Sequence, residues 1–251
     1  MTASTPGFVL VHGGEHGGWC WDRVVPLLEW PAIAVDLPGR EARSGDVSGG
    51  TLAGNAAHLV RAIDQAGFDP FVLVCHSLGG LTVLAAEPLH TLRPSHRVFV
   101  SALAPLPGSA GLDALPALFR WFLRVRLRRP VAAGRAVHLL PKWLAVRKWC
   151  RGLSLTDQRL ILSRLCPEPA RIPLDPTPVE FAGAATSTYV VLEQDRAMTA
   201  RLQRRMADNL SIRELRSIEA GHEAMFSHPG ELAAELNAIG RRVFLSVEST
   251  S

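Results

Sequence analysis

Phe71-Val72-Leu73-Val74-Cys75-His76-Ser77-Leu78-Gly79-Gly80 runs from an apolar, β-favouring segment into a tight turn, and Leu81-Thr82-Val83-Leu84-Ala85-Ala86 continues with a helical pattern. Strand, sharp turn and helix in immediate succession, with serine at the apex, form the context of a nucleophile elbow. Such a turn exposes the hydroxyl above the sheet edge, and small residues two places to either side let strand and helix pack closely. Gly79 supplies one of these; Cys75 stands where glycine is common, so the G-x-S-x-G pattern is met only in part.

Upstream, Phe8-Val9-Leu10-Val11 and Ala32-Ile33-Ala34-Val35 are continuous apolar runs, as expected of strands covered on both faces. Between them lies the loop His12-Gly13-Gly14-Glu15-His16-Gly17-Gly18, then a helical period over residues 19–28 carried by Trp21, Val24, Val25 and Leu28. A polar connection (39–50) leads to a helix over 51–66, capped by Thr51 and stopped by Gly67. Downstream, strands are predicted at 97–102, 186–192 and 211–216, with helices at 197–209 and, for the most part, 224–247. Strands alternating with helices imply an α/β chain with a mostly parallel, doubly wound sheet.

The pattern breaks after Pro105-Leu106-Pro107-Gly108, and residues 108–180 read as helical segments without a convincing strand. The expected organisation is a core made of residues 1–107 and 181–251, with 108–180 inserted as a helical lid. This insertion holds 13 Lys/Arg and 5 Asp/Glu, so it carries +8 and the remainder −4. Residues 120–151 contain ten basic residues and no acidic one, with Arg120, Arg124 and Arg128 on one helical stripe. A solvated helix face over an apolar pocket is the plain reading. Attraction of an anionic substrate, an acyl carrier or a membrane surface are the sharper ones. No nucleic-acid-binding module is legible.

With 251 residues, 47% of them hydrophobic, the chain suffices for one large domain with an insertion. The N-terminal residues lack the basic and apolar regions of a leader, and no apolar run approaches the roughly 20 residues of a membrane span. Cys20, Cys75, Cys150 and Cys166 have neither zinc nor redox spacing, which suits free thiols in a cytoplasmic protein. No metal or organic cofactor is implied, and the oligomeric state is left open.

Three residues complete one chemistry. Asp195 leaves one predicted strand end, and His222 follows the next in Ala220-Gly221-His222, giving the chain order Ser…Asp…His expected with an elbow serine. Ser77 would attack a carbonyl, His222 would take and return the proton, and Asp195 would orient the imidazole. His228 is the alternative base; Asp175 and Asp208 are alternative third members. The glycine loop fits oxyanion stabilisation, with backbone donors at Gly14 and Leu78. Its spacing gives neither phosphate-loop pattern. His12 and His76 flank turns and read as structural groups. His12, Gly13 and Glu15 would nonetheless border the substrate, together with Trp121, Phe122 and Trp143 of the insertion; Phe119 and Trp149 are further pocket candidates.

The segments FVLVHGGEHGGWCWDRVVPLL (8–28), the elbow, LEQDRAMTARLQRRMADN (192–209) and AGHEAMFSHPGEL (220–232) resemble the plant methyl-ester esterase and hydroxynitrile lyase group of the α/β-hydrolase superfamily, and its bacterial esterase-like relatives. The resemblance covers the N-terminal half and the last third and is poor in the insertion. It implies the α/β-hydrolase fold, places the triad on Ser77, Asp195 and His222, and places the oxyanion donors on Gly14 and Leu78. Lyases of the group carry threonine where this chain has Gly13 and lysine where it has Glu223, so ester hydrolysis is favoured over cyanide chemistry. The expected activity is hydrolysis of a carboxylic ester or thioester of a small, largely apolar molecule through an acyl-enzyme. A non-hydrolytic lyase or cyclase on the same scaffold, and a catalytically silent ligand- or carrier-binding protein, are the alternatives.

Overall fold

The computed structural model describes residues 5–40, 50–89, 93–179 and 186–248. Six parallel strands form the central sheet: β1 (Thr5–Val11), β2 (Ala32–Val35), β3 (Phe68–His76), β4 (His96–Val100), β7 (Ser187–Leu192) and β8 (Glu214–Ile218), in the order β2-β1-β3-β4-β7-β8. From β1 the chain moves outward to β2, and from β3 it moves the opposite way to β4. The sheet therefore switches direction between β1 and β3, and a crevice opens beyond their C-terminal ends, where α/β sheets place their ligands. Ser77 and the glycine loop leave those two ends.

Side chains of β1, β3 and β4 are almost wholly buried on both faces, which explains their unbroken apolar runs. Helix α1 (Leu52–Ala66) is capped by Thr51, whose Oγ1 accepts the Gly54 N–H at 3.0 Å, and it ends at Gly67 with φ +64°. Helix α2 (Gly79–Ala86) follows the elbow, and α6 (Ala200–Asn209) lies between β7 and β8.

Some boundaries differ from the sequence reading. The period over 19–28 is not an α-helix but two 3-10 turns, Gly18–Trp21 and Val25–Leu27. Pro26 has no N–H to donate into a continuing α-helical ladder. The strand expected at 211–216 begins three residues later, after Ser211 turns with φ +56°. The C-terminal helix is interrupted at His228, the residue before Pro229, giving α7 (Ala224–Ser227) and α8 (Pro229–Glu248). Most of the polar connection (41–49) and the expected boundary at 180/181 lie outside the described residues.

Between β4 and β7 the chain forms α3 (Ala117–Ala132), α4 (Lys142–Lys148) and α5 (Leu155–Arg164). This excursion is not free of strand: β5 (Ala136–Val137) and β6 (Glu168–Pro169) make a two-residue antiparallel ladder. Two-residue strands fall below any periodicity a sequence can display. Among the described residues no helix is long and apolar enough to cross a membrane.

Candidate active site

Ser77 occupies the left-handed region with φ +50°, which a non-glycine residue adopts only under constraint. Its N–H donates to the Val100 carbonyl at 3.3 Å, and its own carbonyl accepts from Leu103 at 2.8 Å and Gly80 at 3.1 Å. A Cβ on Gly79 would stand 2.4 Å from the His12 carbonyl oxygen, and one on Gly80 would stand 2.4 Å from that of Leu103. At the other flank, Cys75 pairs with Val11 and Phe99 and is buried without conflict. The partial elbow pattern thus has a steric reason: position 79 requires glycine, position 75 does not.

Two loops meet over this serine. The Gln194 N–H donates to the Ala220 carbonyl at 3.0 Å, tying the turn after β7 to the loop after β8. His222 Nδ1 lies 2.7 Å from Asp195 Oδ2, and His222 Nε2 lies 3.1 Å from Ser77 Oγ. The Asp195 carboxylate also accepts the Ser101 hydroxyl at 2.7 Å and the N–H groups of Ala197 and Met198 at 2.6 and 3.0 Å. Burial by itself would raise Asp195, but the His222 charge and these hydrogen bonds hold it below the usual carboxylate range. Burial would lower His222, yet Asp195 outweighs it and raises the imidazole above its ordinary value. His76, kept neutral at about 3 chiefly by burial, donates from Nε2 to the His222 carbonyl at 3.0 Å. A hydroxyl, an imidazole and a buried carboxylate in this line can pass the hydroxyl proton to nitrogen and stabilise the resulting imidazolium.

The glycine loop lies against the elbow. A Cβ on Gly13 would meet Ser77 Cβ at 3.0 Å, and one on Gly14 would meet Leu78 Cδ2 at 2.9 Å. His12 is a structural group: its Nδ1 donates to the Gly13 carbonyl at 2.7 Å, and its Nε2 accepts the Leu37 N–H at 3.2 Å. Burial, followed by the Arg40 charge, lowers it to about 3, so it stays neutral. Glu15 turns away from the serine. With φ +62° it points a buried carboxylate at the excursion, accepting the Leu139 N–H at 2.6 Å and pairing with His138 Nδ1 at 2.6 Å. Its own N–H donates to Glu168 Oε2 at 2.8 Å, and Glu168 in turn pairs with Arg40 at 2.6 Å.

His16 and Glu223 form a second buried pair beside the triad, with His16 Nε2 3.3 Å from Glu223 Oε1. His16 Nδ1 donates to the Gly14 carbonyl at 2.8 Å, and its ring stacks on Trp19 with centroids 5.1 Å apart. Burial opposes both charges. The Glu223 charge nevertheless raises His16, and His16, with smaller help from His222 and His76, lowers Glu223 to about 2.

An apolar cavity, partly open to solvent, meets Ser77 and His222. Gly13, Gly14, His16 and Leu78 border it from the core, and Phe119, Leu123, Leu139, Leu140, Lys148 and Trp149 from the excursion. Of the expected substrate contacts only Gly13 lies here, alongside the further candidates Phe119 and Trp149. His12 and Glu15 are turned into the structure. Trp121 is exposed and Phe122 half-buried, both outside the cavity, because the turn of α3 directs 119 and 123 inward instead; Trp143, on α4, is exposed and also lies outside it. His228 bonds Ser227 Oγ, Asp175 pairs with Arg171, and neither joins the serine. Sequence reasoning missed Ser101, which directly follows β4 with φ +39°, and the His16–Glu223 pair. Among the described residues no group of three or more His, Cys, Asp or Glu side chains could hold a metal ion.

The chain is 27% identical to methylesterase 9 of Arabidopsis thaliana, covering 91% of this chain and 96% of that protein. It is 26% identical to norfluorocurarine synthase 2 of Strychnos nux-vomica, covering 94% and 96%. Among solved structures it is similar to an extracellular alpha/beta-hydrolase from a Paenibacillus species, described as sharing structural and functional homology with tobacco salicylic acid binding protein 2. That match has a TM-score of 0.83 at 22% identity, over 94% of this chain and 99% of the other. It is also similar to polyneuridine aldehyde esterase, with a TM-score of 0.73 at 20% identity, over 94% and 99%. The family model described as "Alpha/beta hydrolase family" matches residues 8–235, nearly the whole chain, and the chain belongs to that family.

Proposed function

We propose that the protein is a serine esterase that cleaves a carboxylic ester or thioester of a small, largely apolar molecule through an acyl-enzyme. The observation that carries this reading is the continuous line Ser77–His222–Asp195 at the floor of an apolar cavity, with Gly13 against the same serine and Gly14 against Leu78. His222 removes the Ser77 proton as Oγ attacks the carbonyl carbon. Asp195 holds the imidazole tautomer, and Ser101 and the Ala197 and Met198 N–H groups hold Asp195. The Gly14 and Leu78 N–H groups take the developing oxyanion. His222 then protonates the leaving alcohol or thiol, and water repeats the cycle on the acyl-serine. Residues 108–180 act as a cap whose inner side chains shape the acyl or alcohol pocket. Four free cysteines, three of them buried, support residence in a reducing cytoplasm.

A second reading, non-hydrolytic chemistry on the same scaffold, is favoured by the likeness to a norfluorocurarine synthase. Against a lyase stand Gly13 and Glu223. The latter is buried against His16 rather than facing the cavity. Labelling with a fluorophosphonate, peptide mapping and turnover of p-nitrophenyl esters test the proposal. Labelling at Ser77, abolished in Ser77→Ala, together with ester turnover and an acyl-serine by mass spectrometry, supports it. Folded protein that neither labels nor turns over esters overturns it in favour of the second reading.

A further inference from the structure

Helix α3 has two apolar sides. Phe119 and Leu123 line the cavity, and Leu127 is fully buried. Leu118, Trp121 and Val125, spaced i, i+3, i+7, form a separate stripe facing solvent, with exposures of 78%, 63% and 58%. At about 100° per residue, Arg124 and Arg128 fall along one flank of this stripe and Arg126 and Arg129 along the other. On α4, Trp143 is 69% exposed and shares its neighbourhood with Lys142 and Arg147. Residues 120–151 contribute ten basic side chains and no carboxylate. Among the described residues, the carboxylate that pairs with these Lys and Arg side chains is Asp113, with Arg124 at 2.6 Å.

We infer that this outer face docks the protein onto an anionic lipid surface. An apolar ridge with tryptophan, flanked on both sides by arginine, has the chemistry of a helix lying at the headgroup boundary: the ridge enters the acyl region while guanidinium groups bind phosphate. A second copy of the same face is a poor occupant, because it would oppose arginine to arginine over an apolar contact. Docking requires no membrane-spanning helix. Because the opposite side of α3 lines the cavity, the docked orientation sets the cavity roof against the lipid. The substrate would then be an ester that partitions into that layer. This last clause rests on the esterase reading; the docking does not.

Flotation of the full chain with vesicles tests the inference, using phosphatidylcholine alone or mixed two to one with phosphatidylglycerol. Binding is expected to the mixed vesicles only, and to weaken as salt rises. Arg128→Gln with Arg129→Gln should lower partitioning by about fivefold per arginine, the ~1 kcal/mol each basic side chain contributes near such a surface. Leu118→Ser with Val125→Ser should lower it by roughly tenfold or more, leaving the thermal melt and p-nitrophenyl acetate turnover unchanged. No flotation with mixed vesicles, equal flotation with neutral ones, or variants that bind like the parent would each overturn it. So would a concentration-dependent dimer, lost in the Leu118/Val125 variant, without vesicle binding. Vesicle binding by a chain that never labels at Ser77 would sink the esterase reading and leave this one standing.

Discussion

Replacing His16 with phenylalanine should cost the fold more than replacing its partner Glu223 with glutamine, although the two belong to one ion pair. Phenylalanine preserves the aromatic contacts with Trp19 and with Trp149, whose ring centroids lie 5.1 and 6.1 Å from that of His16, and removes the charge together with the Nδ1–H that donates to the Gly14 carbonyl. It leaves the Glu223 carboxylate buried, with no cation 3.3 Å away. Breaking a buried pair from one side costs about 3–5 kcal/mol. For a domain of this size that is a fall in Tm of roughly 6–20 °C, at about 2–4 °C per kcal/mol. Glu223→Gln instead lets His16 become neutral while its Nδ1–H still bonds the Gly14 carbonyl, so a loss of only ~1–3 kcal/mol is expected. The double variant has no buried charge and should recover most of the His16→Phe loss. The pH dependence carries a sign of its own. His16 is raised above 6.5, so its contribution is full below 6.5 and fades as pH rises through the raised value. Glu223 is lowered from 4.5 to about 2, so its contribution is present above 4.5 and fades as pH falls toward 2. Thermal melts followed by circular dichroism across this range measure all three variants. A His16→Phe protein more stable than Glu223→Gln, or losses that simply add in the double variant, would refute the reasoning.

Asp195→Asn should lower ester turnover by about 10⁴ through the wrong imidazole tautomer. Ser101→Ala, which removes one charged hydrogen bond to the same carboxylate, should lower it by roughly tenfold to a hundredfold; steady-state kinetics separates the two. The pH–rate profile of kcat/KM should show its acid limb above 6.5, because the base must be neutral and His222 is raised by Asp195; a limb below 6.5 contradicts that assignment. Gly79→Ala places a methyl 2.4 Å from the His12 carbonyl and should abolish activity or soluble expression. Cys75→Gly, which restores the common elbow pattern, should lower Tm by the loss of a buried side chain without raising turnover.

The elbow is legible because strand, serine, glycine and helix are contiguous and each segment carries a local signal. Asp195 and His222 are legible because each lies in the loop just past a predicted strand, and strand ends at one edge of a parallel sheet converge. Ser101 also directly follows a strand, but serine there has no distinguishing neighbour, and its role exists only once β4 and β7 lie side by side. The cavity was misassigned in sequence for a different reason. Charged and apolar residues alternate all round α3, so large side chains drew attention while the helical phase that turns 119 and 123 inward stayed undetermined. Glu15 and the His16–Glu223 pair depend on contacts more than a hundred residues apart, and no local pattern announces them.

Glu15 has a consequence for how such a molecule can change over evolutionary time. One carboxylate, a single residue beyond Gly14, holds the backbone of Leu139 and the ring of His138, and its N–H is held by Glu168 from the far side of the same insertion. The proposed catalytic frame and the proposed cap are therefore not separable parts. A transplanted insertion lacking an N–H and a glutamate at these places would leave Glu15 buried without partners and release the glycine loop. New pockets in this lineage are then reached more readily by exchanging Phe119, Leu123, Leu140 or Trp149 within the resident insertion than by replacing it whole.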